Sequence, residues 1–373
     1  MASVSLPNRI GLFLPTLDDG GAERVMLQLA ASFSQRGYPV DLVVAIEGGP
    51  LESQVPSGVR VVSLAARRTA LALPALARYL VRERPHALLS TLEHSNIIAL
   101  AARRVSFTST RVVLREANVL LPRDQMHGLR PHLLRAFMYA FYRTARTIVA
   151  VSKSVAASLV DGLGIRSERI RTIYNPIVTR DLQEKAGAPL EDPWFADGAP
   201  PVVLGVGRLV EQKDFATLLT AFAEVRAERP ARLVILGEGK ERGMLEALAQ
   251  RLGVQADVRF PGYDHNPFRY MSRSAVFALS SIFEGLPGAL IQAMACGCRV
   301  ISTDCPGGSR EVLQDGASGP LVPVKDPVKL AQGIKALLND RERGPTRVRH
   351  DVERFTERAA VDQYLDVLGV VRT

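Results

Sequence analysis

Short runs of β-branched and aliphatic residues alternate along this chain with longer stretches whose apolar positions recur at helical spacing. Such alternation predicts a parallel sheet covered by helices on both faces. In the first half the strand runs are RIGLFLP, VDLVVA, VRVVSL, HALLSTL, RVVLRE and TIVAVS. A helix over residues 22–36 is predicted after the first run, with Gly37 closing it. The pattern ends near Ile173 in YNPI, and a polar stretch carrying Pro189, Pro193, Pro200 and Pro201 follows. A second series then runs through PVVLGVGR, RLVILGEG, VRFPGY, AVFALSS, RVISTD and PLVPV. The boundaries predicted are a first domain over residues 1–180, a linker over 181–200 and a second domain over 201–351. A last helix falls near residues 352–368, and from pattern alone it can pack on either domain. The fold class is therefore α/β, with two facing Rossmann-like, doubly wound domains and an interdomain cleft. Ligands of such sheets bind beyond the carboxyl ends of the strands.

Composition narrows this picture. With 373 residues, 47% apolar and 23% charged, the chain has the make-up of a globular protein with two ordinary cores. No apolar stretch approaches the roughly 20 residues that span a bilayer. The start MASVSLPNRIGLFLP lacks a basic segment followed by a long apolar core, so no signal peptide is expected. Three cysteines crowded at 296, 298 and 305 argue against a disulfide framework and for a reducing cytoplasm. They lack a fourth ligand for zinc, and small buried residues account for them better. Charge is the more informative quantity. Residues 1–180 carry 23 Lys and Arg against 12 Asp and Glu, whereas the remainder carries 24 against 26. All the positive excess lies in the first half, which points to a polyanionic partner such as an anionic membrane surface. Base-stacking aromatics among the strands are sparse, so nucleic acid is not expected.

Three loops carry candidate chemistry. In PTLDDGGAERV, residues 15–25, Gly20 and Gly21 precede the first helix, where backbone can come close to an anion. It is not G-x-G-x-x-G, and a flexible turn explains it equally well. In GVGRLVEQKDF, residues 205–215, Gly207 is followed by Arg208 and Lys213. A guanidinium that grips two oxygens and an ammonium point charge suit a pyrophosphate; a solvated basic loop is the bland alternative. In FEGLPGALIQAMACG, residues 283–297, Glu284 precedes the turn Gly285, Leu286 and Pro287. Pro287 is placed in the first helical turn, and the free N–H groups of Gly288, Ala289 and Leu290 offer a phosphate site. Glu284 can accept from sugar hydroxyls, or simply stabilise the helix start. Gln292 lies two turns in and can reach a ribose.

Taken together, GGAER, VSKSV…YNPI, GVGRLVEQK, FPGY, SSIFEGLPGALIQAMACG and STDCPGGSREVL resemble glycosyltransferase family 4, whose members have the GT-B fold. The likeness covers nearly the whole chain in the family's motif order. It is nearest to members that extend lipid-linked oligosaccharides and surface polysaccharides in bacteria. The resemblance implies a retaining, metal-independent hexosyltransferase with no cofactor, using a nucleotide-sugar donor, UDP-linked by preference. It implies that Arg208 and Lys213 bind the pyrophosphate, that Gly21 approaches it from the first domain, and that Glu284 holds the donor sugar. Gly262 and Tyr263 would offer backbone to the base, and the final helix would cross back to the first domain. Two departures stand out. Gln292 replaces the second acid of the family's E-x7-E motif, and an amide accepts less strongly than a carboxylate. Where many relatives carry a histidine, VVLREANV has Arg115 and Glu116, which the resemblance places toward sugar or acceptor. His94, in STLEHSN, is expected at the cleft too; His127 and His132 have no identifiable partner.

The acceptor side follows from two basic segments. Over residues 129–146, Leu133, Leu134, Phe137, Met138 and Phe141 form one stripe, flanked by Arg130, Arg135, Arg143 and Arg146 with Tyr139 and Tyr142. Residues 65–84 have a similar character. Such helices suit an anionic lipid surface or, equally, the flank of a sheet. The expectation is a cytoplasmic enzyme, peripheral on the inner face of the membrane, acting on a lipid-linked or glycan acceptor. Alternatives are a nicotinamide oxidoreductase, disfavoured by the absent fingerprint, and a sugar-nucleotide-binding protein or epimerase of the same architecture.

Overall fold

The computed structural model describes residues 8–18, 20–120, 128–343 and 351–370. The chain divides into two compact units, residues 1–176 with 356–373, and residues 177–355.

The first unit runs β1 (Ile10–Leu14), α1 (Gly21–Gln35), β2 (Val40–Val44), β3 (Val59–Ser63), α2 (Leu73–Glu83), β4 (Ala87–Thr91), α3 (Glu93–Ser106), β5 (Arg111–Glu116), α4 (Leu129–Tyr142), β6 (Thr147–Ala150), α5 (Lys153–Leu163) and β7 (Ile170–Thr172). All pairings are parallel, in the order β3-β2-β1-β4-β5-β6-β7. Residues of β1, β2 and β4 are buried on both faces, which is why these strands are dense in Val, Ile and Leu. The strand β7 has only three residues and is not buried, too short a run to show in the sequence pattern.

The second unit runs α6 (Leu182–Gly187), β8 (Val202–Val206), α7 (Phe215–Glu228), β9 (Arg232–Leu236), α8 (Arg242–Arg251), β10 (Val258–Gly262), α9 (Phe268–Met271), β11 (Val276–Leu279), α10 (Gly288–Ala295), β12 (Arg299–Thr303), α11 (Ser309–Val312), β13 (Leu321–Val322) and α12 (Pro327–Arg343). Its sheet order is β10-β9-β8-β11-β12-β13, again all parallel. A core of Phe215, Leu218, Phe222, Val225, Leu233 and Ile235 joins α7 to this sheet. The last helix, α13 (Glu357–Leu368), belongs to the first unit, where it packs on α1, β4 and β5.

Residues 181–200, expected as a linker, fold into the second unit instead. Trp194 is buried beneath the guanidinium groups of Arg232 and Arg259, 4.9 and 4.0 Å from its ring centre. Phe195 packs edge-on against Tyr270, and Gln183 donates to the Ala295 carbonyl at 2.8 Å. The prolines suggested a linker, yet one Trp buries enough apolar surface to fix the segment. Both sheets reverse strand order between their first and fourth strands, β1/β4 and β8/β11. The loops after those strands are where an open α/β sheet binds ligands.

Candidate active site

In the second unit, the loops after β8 and β11 carry the predicted chemistry. Gly207 follows β8, with φ +159°. Behind it, Gly237 has φ +137°, and a Cβ there would lie 1.9 Å from the Gly207 carbonyl oxygen. Only glycine lets the two loops approach so closely. Arg208 follows with an exposed side chain that has no hydrogen bond or ion pair among the described residues. Lys213 turns inward. Its Nζ donates to Glu284 Oε1 at 2.5 Å, so the two residues assigned to pyrophosphate and sugar meet directly. Sequence reasoning could not see this pair, because 71 positions separate its members.

Glu284 is 6% exposed and also accepts from Ser281 Oγ at 2.6 Å. The two loops are laced together further: Gln212 Nε2 donates to the Phe283 carbonyl at 3.0 Å, and Ile282 N–H donates to the Gln212 carbonyl at 2.8 Å. Ser281 and Gln212 are therefore positioning residues that sequence reasoning missed. The ammonium has three donors and spends one on Glu284, leaving two for a ligand. A carboxylate offers about four lone-pair sites, so with these bonds made Glu284 can still accept from hydroxyls.

Pro287 occupies the cap of α10 rather than its first turn, and no side chain caps the helix. The first N–H groups, on Gly288, Ala289 and Leu290, are left for a ligand or solvent. Gly288 and Ala289 are half-buried, and Leu290 packs in the core. At the other end Gly297, φ +77°, follows the helix as a left-handed stop. Gln292 is half-buried on the second turn, and its side chain makes no hydrogen bond among the described residues. Gly262, φ +91°, ends β10, and its carbonyl accepts from Gly237 N–H at 2.8 Å. Tyr263 is half-exposed and stands edge-on to His265.

The Pro-Gly-Gly turn after β12 supports this site from behind. Gly307 has φ +128°, and a Cβ there would fall 1.8 Å from the Glu284 carbonyl oxygen; Gly308 N–H donates to the Gly285 carbonyl at 3.0 Å. Gly307→Ala is expected to displace the Glu284 turn, lowering stability by about 1–3 kcal/mol and turnover more than tenfold. Thermal melts with kinetics check this; unchanged turnover contradicts it.

The first unit presents its candidates separately. Gly20 caps α1, and Gly21 is its first residue; a Cβ on Gly21 would meet no atom within 4 Å. Packing alone therefore does not require a glycine at 21. His94 is exposed in the first turn of α3, after Leu92, whose φ of +71° is strained for a bulky residue. Arg115 and Glu116 do not face solvent: each is 1% exposed. Arg115 donates to Thr91 Oγ1 at 2.8 Å and to Asn175 Oδ1 at 2.7 Å, and Glu116 accepts from the Tyr142 hydroxyl at 2.8 Å. These hydrogen bonds tie the end of β5 to β4, to α4 and to the segment at Asn175. Of the two histidines without an assigned partner, His132 is exposed on α4, and His127 lies outside the described residues.

Burial, reinforced by the charge of Glu93, pushes the Glu116 carboxyl up to about 8 despite the Tyr142 hydrogen bond. An unfolded glutamate titrates near 4.5. The folded state thus holds a proton that the unfolded state has released, and this contribution to stability is complete below pH 4.5 and lost as pH rises toward 8. Glu116→Gln, neutral and nearly isosteric, is expected to remove up to about 1.4 kcal/mol of destabilisation per pH unit across that window. Parallel Tm curves from pH 5 to 8 for wild type and variant check it; superimposable curves contradict it.

Comparison with known proteins bears on all of this. Residues 19–181 match the model described as Glycosyltransferase Family 4, and residues 190–358 match Glycosyl transferases group 1. The chain is 32% identical over 349 residues to an N-acetylgalactosamine-N,N'-diacetylbacillosaminyl-diphospho-undecaprenol 4-alpha-N-acetylgalactosaminyltransferase of Campylobacter jejuni, covering 89% of this chain and 90% of that protein. It is 29% identical over 356 residues to the lipopolysaccharide core biosynthesis glycosyltransferase LpsD of Rhizobium meliloti, covering 94% and 95%. Among solved structures, Anabaena HepE in complex with UDP-glucose superposes with a TM-score of 0.81 at 17% identity, over 98% of this chain and all of that one. The two parallel-sheet units are those of the GT-B fold, and the chain belongs to glycosyltransferase family 4.

Proposed function

We propose that this glycosyltransferase moves a hexose or N-acetylhexosamine from a UDP-linked donor to a lipid-linked glycan, with retention of anomeric configuration. The observation that carries the proposal is the second unit's loop pair: Lys213 turns inward to Glu284, just ahead of the uncapped start of α10, and Arg208 is exposed on the Lys213 loop. These are a phosphate-binding set and a hydroxyl acceptor on adjoining loops. The complex of HepE with UDP-glucose supports the nucleotide, and the diphospho-undecaprenol substrate named for the Campylobacter relative supports the acceptor.

On this reading the leaving diphosphate is held by Arg208, the two remaining Lys213 donors and the N–H groups of Gly288 and Ala289. Positive charge at the departing oxygen stabilises the developing anion, so a metal is not required. The departing phosphate takes the acceptor's proton on the face it leaves, so the new bond forms with the original configuration and no separate base is needed. Glu284 orients the sugar through its hydroxyls. Gln292 meets the ribose with weaker bonds than a carboxylate would.

A peripheral membrane location follows from the same reading. Among the described residues no helix is long and apolar enough to cross a bilayer. Both basic segments bury one face and expose apolar residues: α2 buries Leu76, Tyr79 and Leu80 and exposes Val81, and α4 exposes Leu129, Leu133 and Phe137. In α4, Met138 and Tyr142 hold the inner face, and Arg143 stacks on Tyr139 at 3.9 Å. An apolar stripe with basic flanks suits the headgroup layer, where a lipid-linked acceptor is found. The test is a thermal-shift panel of nucleotide-sugars followed by transfer to a diphospho-undecaprenol glycan with NMR of the product anomer. Stabilisation by UDP-sugars and an α-linked product from an α-donor support the reading; no nucleotide response overturns it.

A further inference from the structure

We infer that the first unit carries a second anion site, for a phosphorylated polyanion, at the end of its sheet opposite the strand termini already described. A concavity of about 880 Å³ opens there, and six arginines line it: Arg9, Arg84, Arg103, Arg104, Arg111 and Arg146. No Asp or Glu is among its lining residues. They gather at the amino ends of β1, β4, β5 and β6 and at the carboxyl ends of α2, α3, α4 and α13.

The cationic excess is more than the fold itself needs. Arginines do offset the negative ends of helices, but four such ends supply only about −2 charges. Asp41 pairs with Arg9 at 2.7 Å and, shared with Arg60 at 2.6 Å, supplies at most one more. Roughly three positive charges remain unmatched, by that accounting of helix ends. Three of the guanidinium groups are held in place: Arg9 by Asp41, Arg103 by the Thr110 carbonyl at 3.1 Å, and Arg111 by the Val367 carbonyl at 3.2 Å. The side chains of Arg84, Arg104 and Arg146 are exposed and make no hydrogen bond or ion pair among the described residues. Gathering like charges in a concavity costs free energy unless an anion fills it, and guanidinium forks match phosphate oxygens in pairs.

The volume exceeds that of a single phosphate and suits a diphosphate or a larger phosphorylated group. That chemistry has two sources, a soluble phosphate compound and an anionic lipid headgroup. Leu100 of α3 and Ala140 and Phe141 of α4 form part of the wall. An apolar side of this kind favours the headgroup. The site is independent of the transferase reading, since it uses none of the donor residues.

The experiment titrates inorganic pyrophosphate into the full chain carrying Arg208→Ala and Lys213→Ala, which removes the donor loop's cations. Binding is expected to persist there, to weaken with salt, and to fall at least tenfold on adding Arg84→Gln, Arg104→Gln and Arg146→Gln. The matching Arg→Lys triple keeps the charge and loses the fork, so an intermediate affinity is expected with an unchanged melt. No binding, or binding indifferent to the Gln triple, overturns the site and leaves the donor reading standing. Sedimentation with phosphatidylglycerol vesicles, against phosphatidylcholine alone, then separates the sources. Loss of vesicle binding in the Gln triple identifies a lipid headgroup; unchanged vesicle behaviour with pyrophosphate binding lost identifies a soluble phosphate.

Discussion

Arg208→Ala combined with Lys213→Ala is expected to weaken UDP binding by two orders of magnitude or more. Each cation makes charge-assisted bonds to phosphate worth about 1.5–3 kcal/mol, and every 1.4 kcal/mol is tenfold. The two single variants should differ in kind. Arg208 is exposed and unpaired among the described residues, so Arg208→Ala leaves the melt unchanged while affinity drops. Lys213→Ala strands Glu284, whose carboxylate is then buried with Ser281 as its remaining side-chain partner. An uncompensated buried charge costs several kcal/mol, so this variant should melt lower as well as bind less. Adding Glu284→Gln to Lys213→Ala should restore the melt and not the affinity. Calorimetric titration with UDP beside thermal melts of all four variants checks the pattern. Equal affinity in wild type and the double variant contradicts it.

Glu284→Gln alone should divide binding from turnover. The glutamine keeps an acceptor for Ser281 but loses the charge that engages Lys213 and the sugar hydroxyls. Turnover is expected to fall by about 10²–10³, the range for losing one charge-directed contact in a transition state. UDP affinity should hold or rise up to about tenfold, because Lys213 is released toward the diphosphate and a carboxylate beside it is neutralised. A kcat loss with a preserved UDP Kd is the expected signature; a parallel loss of both would mean that Glu284 mainly builds the loop.

The site was only partly legible in the sequence, and the reasons are physical. Strands buried on both faces leave dense aliphatic runs, so β1, β2, β4 and β8 stand out, and the motifs at their ends locate the reactive loops. Arg208, Lys213, Glu284 and Gly288 could be placed near one another in that way. Their connections could not. The Lys213–Glu284 ion pair and the Gln212 bridge join loops about 70 positions apart, which no local pattern records. Gly307 showed in the sequence as one more glycine of a turn; its closeness to the Glu284 carbonyl exists only in three dimensions. Arg115 and Glu116 read in the sequence as charged residues at an open strand end. Tyr142, Asn96 and Asn175, from three different segments, enclose them instead. The six-arginine concavity was visible only as a surplus of charge in residues 1–180, with no hint that it collects at one end of a sheet.

The most direct measurement is a crystal structure grown in saturating UDP. It should show the diphosphate against the Gly288 and Ala289 amides, with Arg208 and Lys213 each within hydrogen-bond distance of its oxygens. Electron density for the nucleotide elsewhere, or none at these groups, would contradict the account.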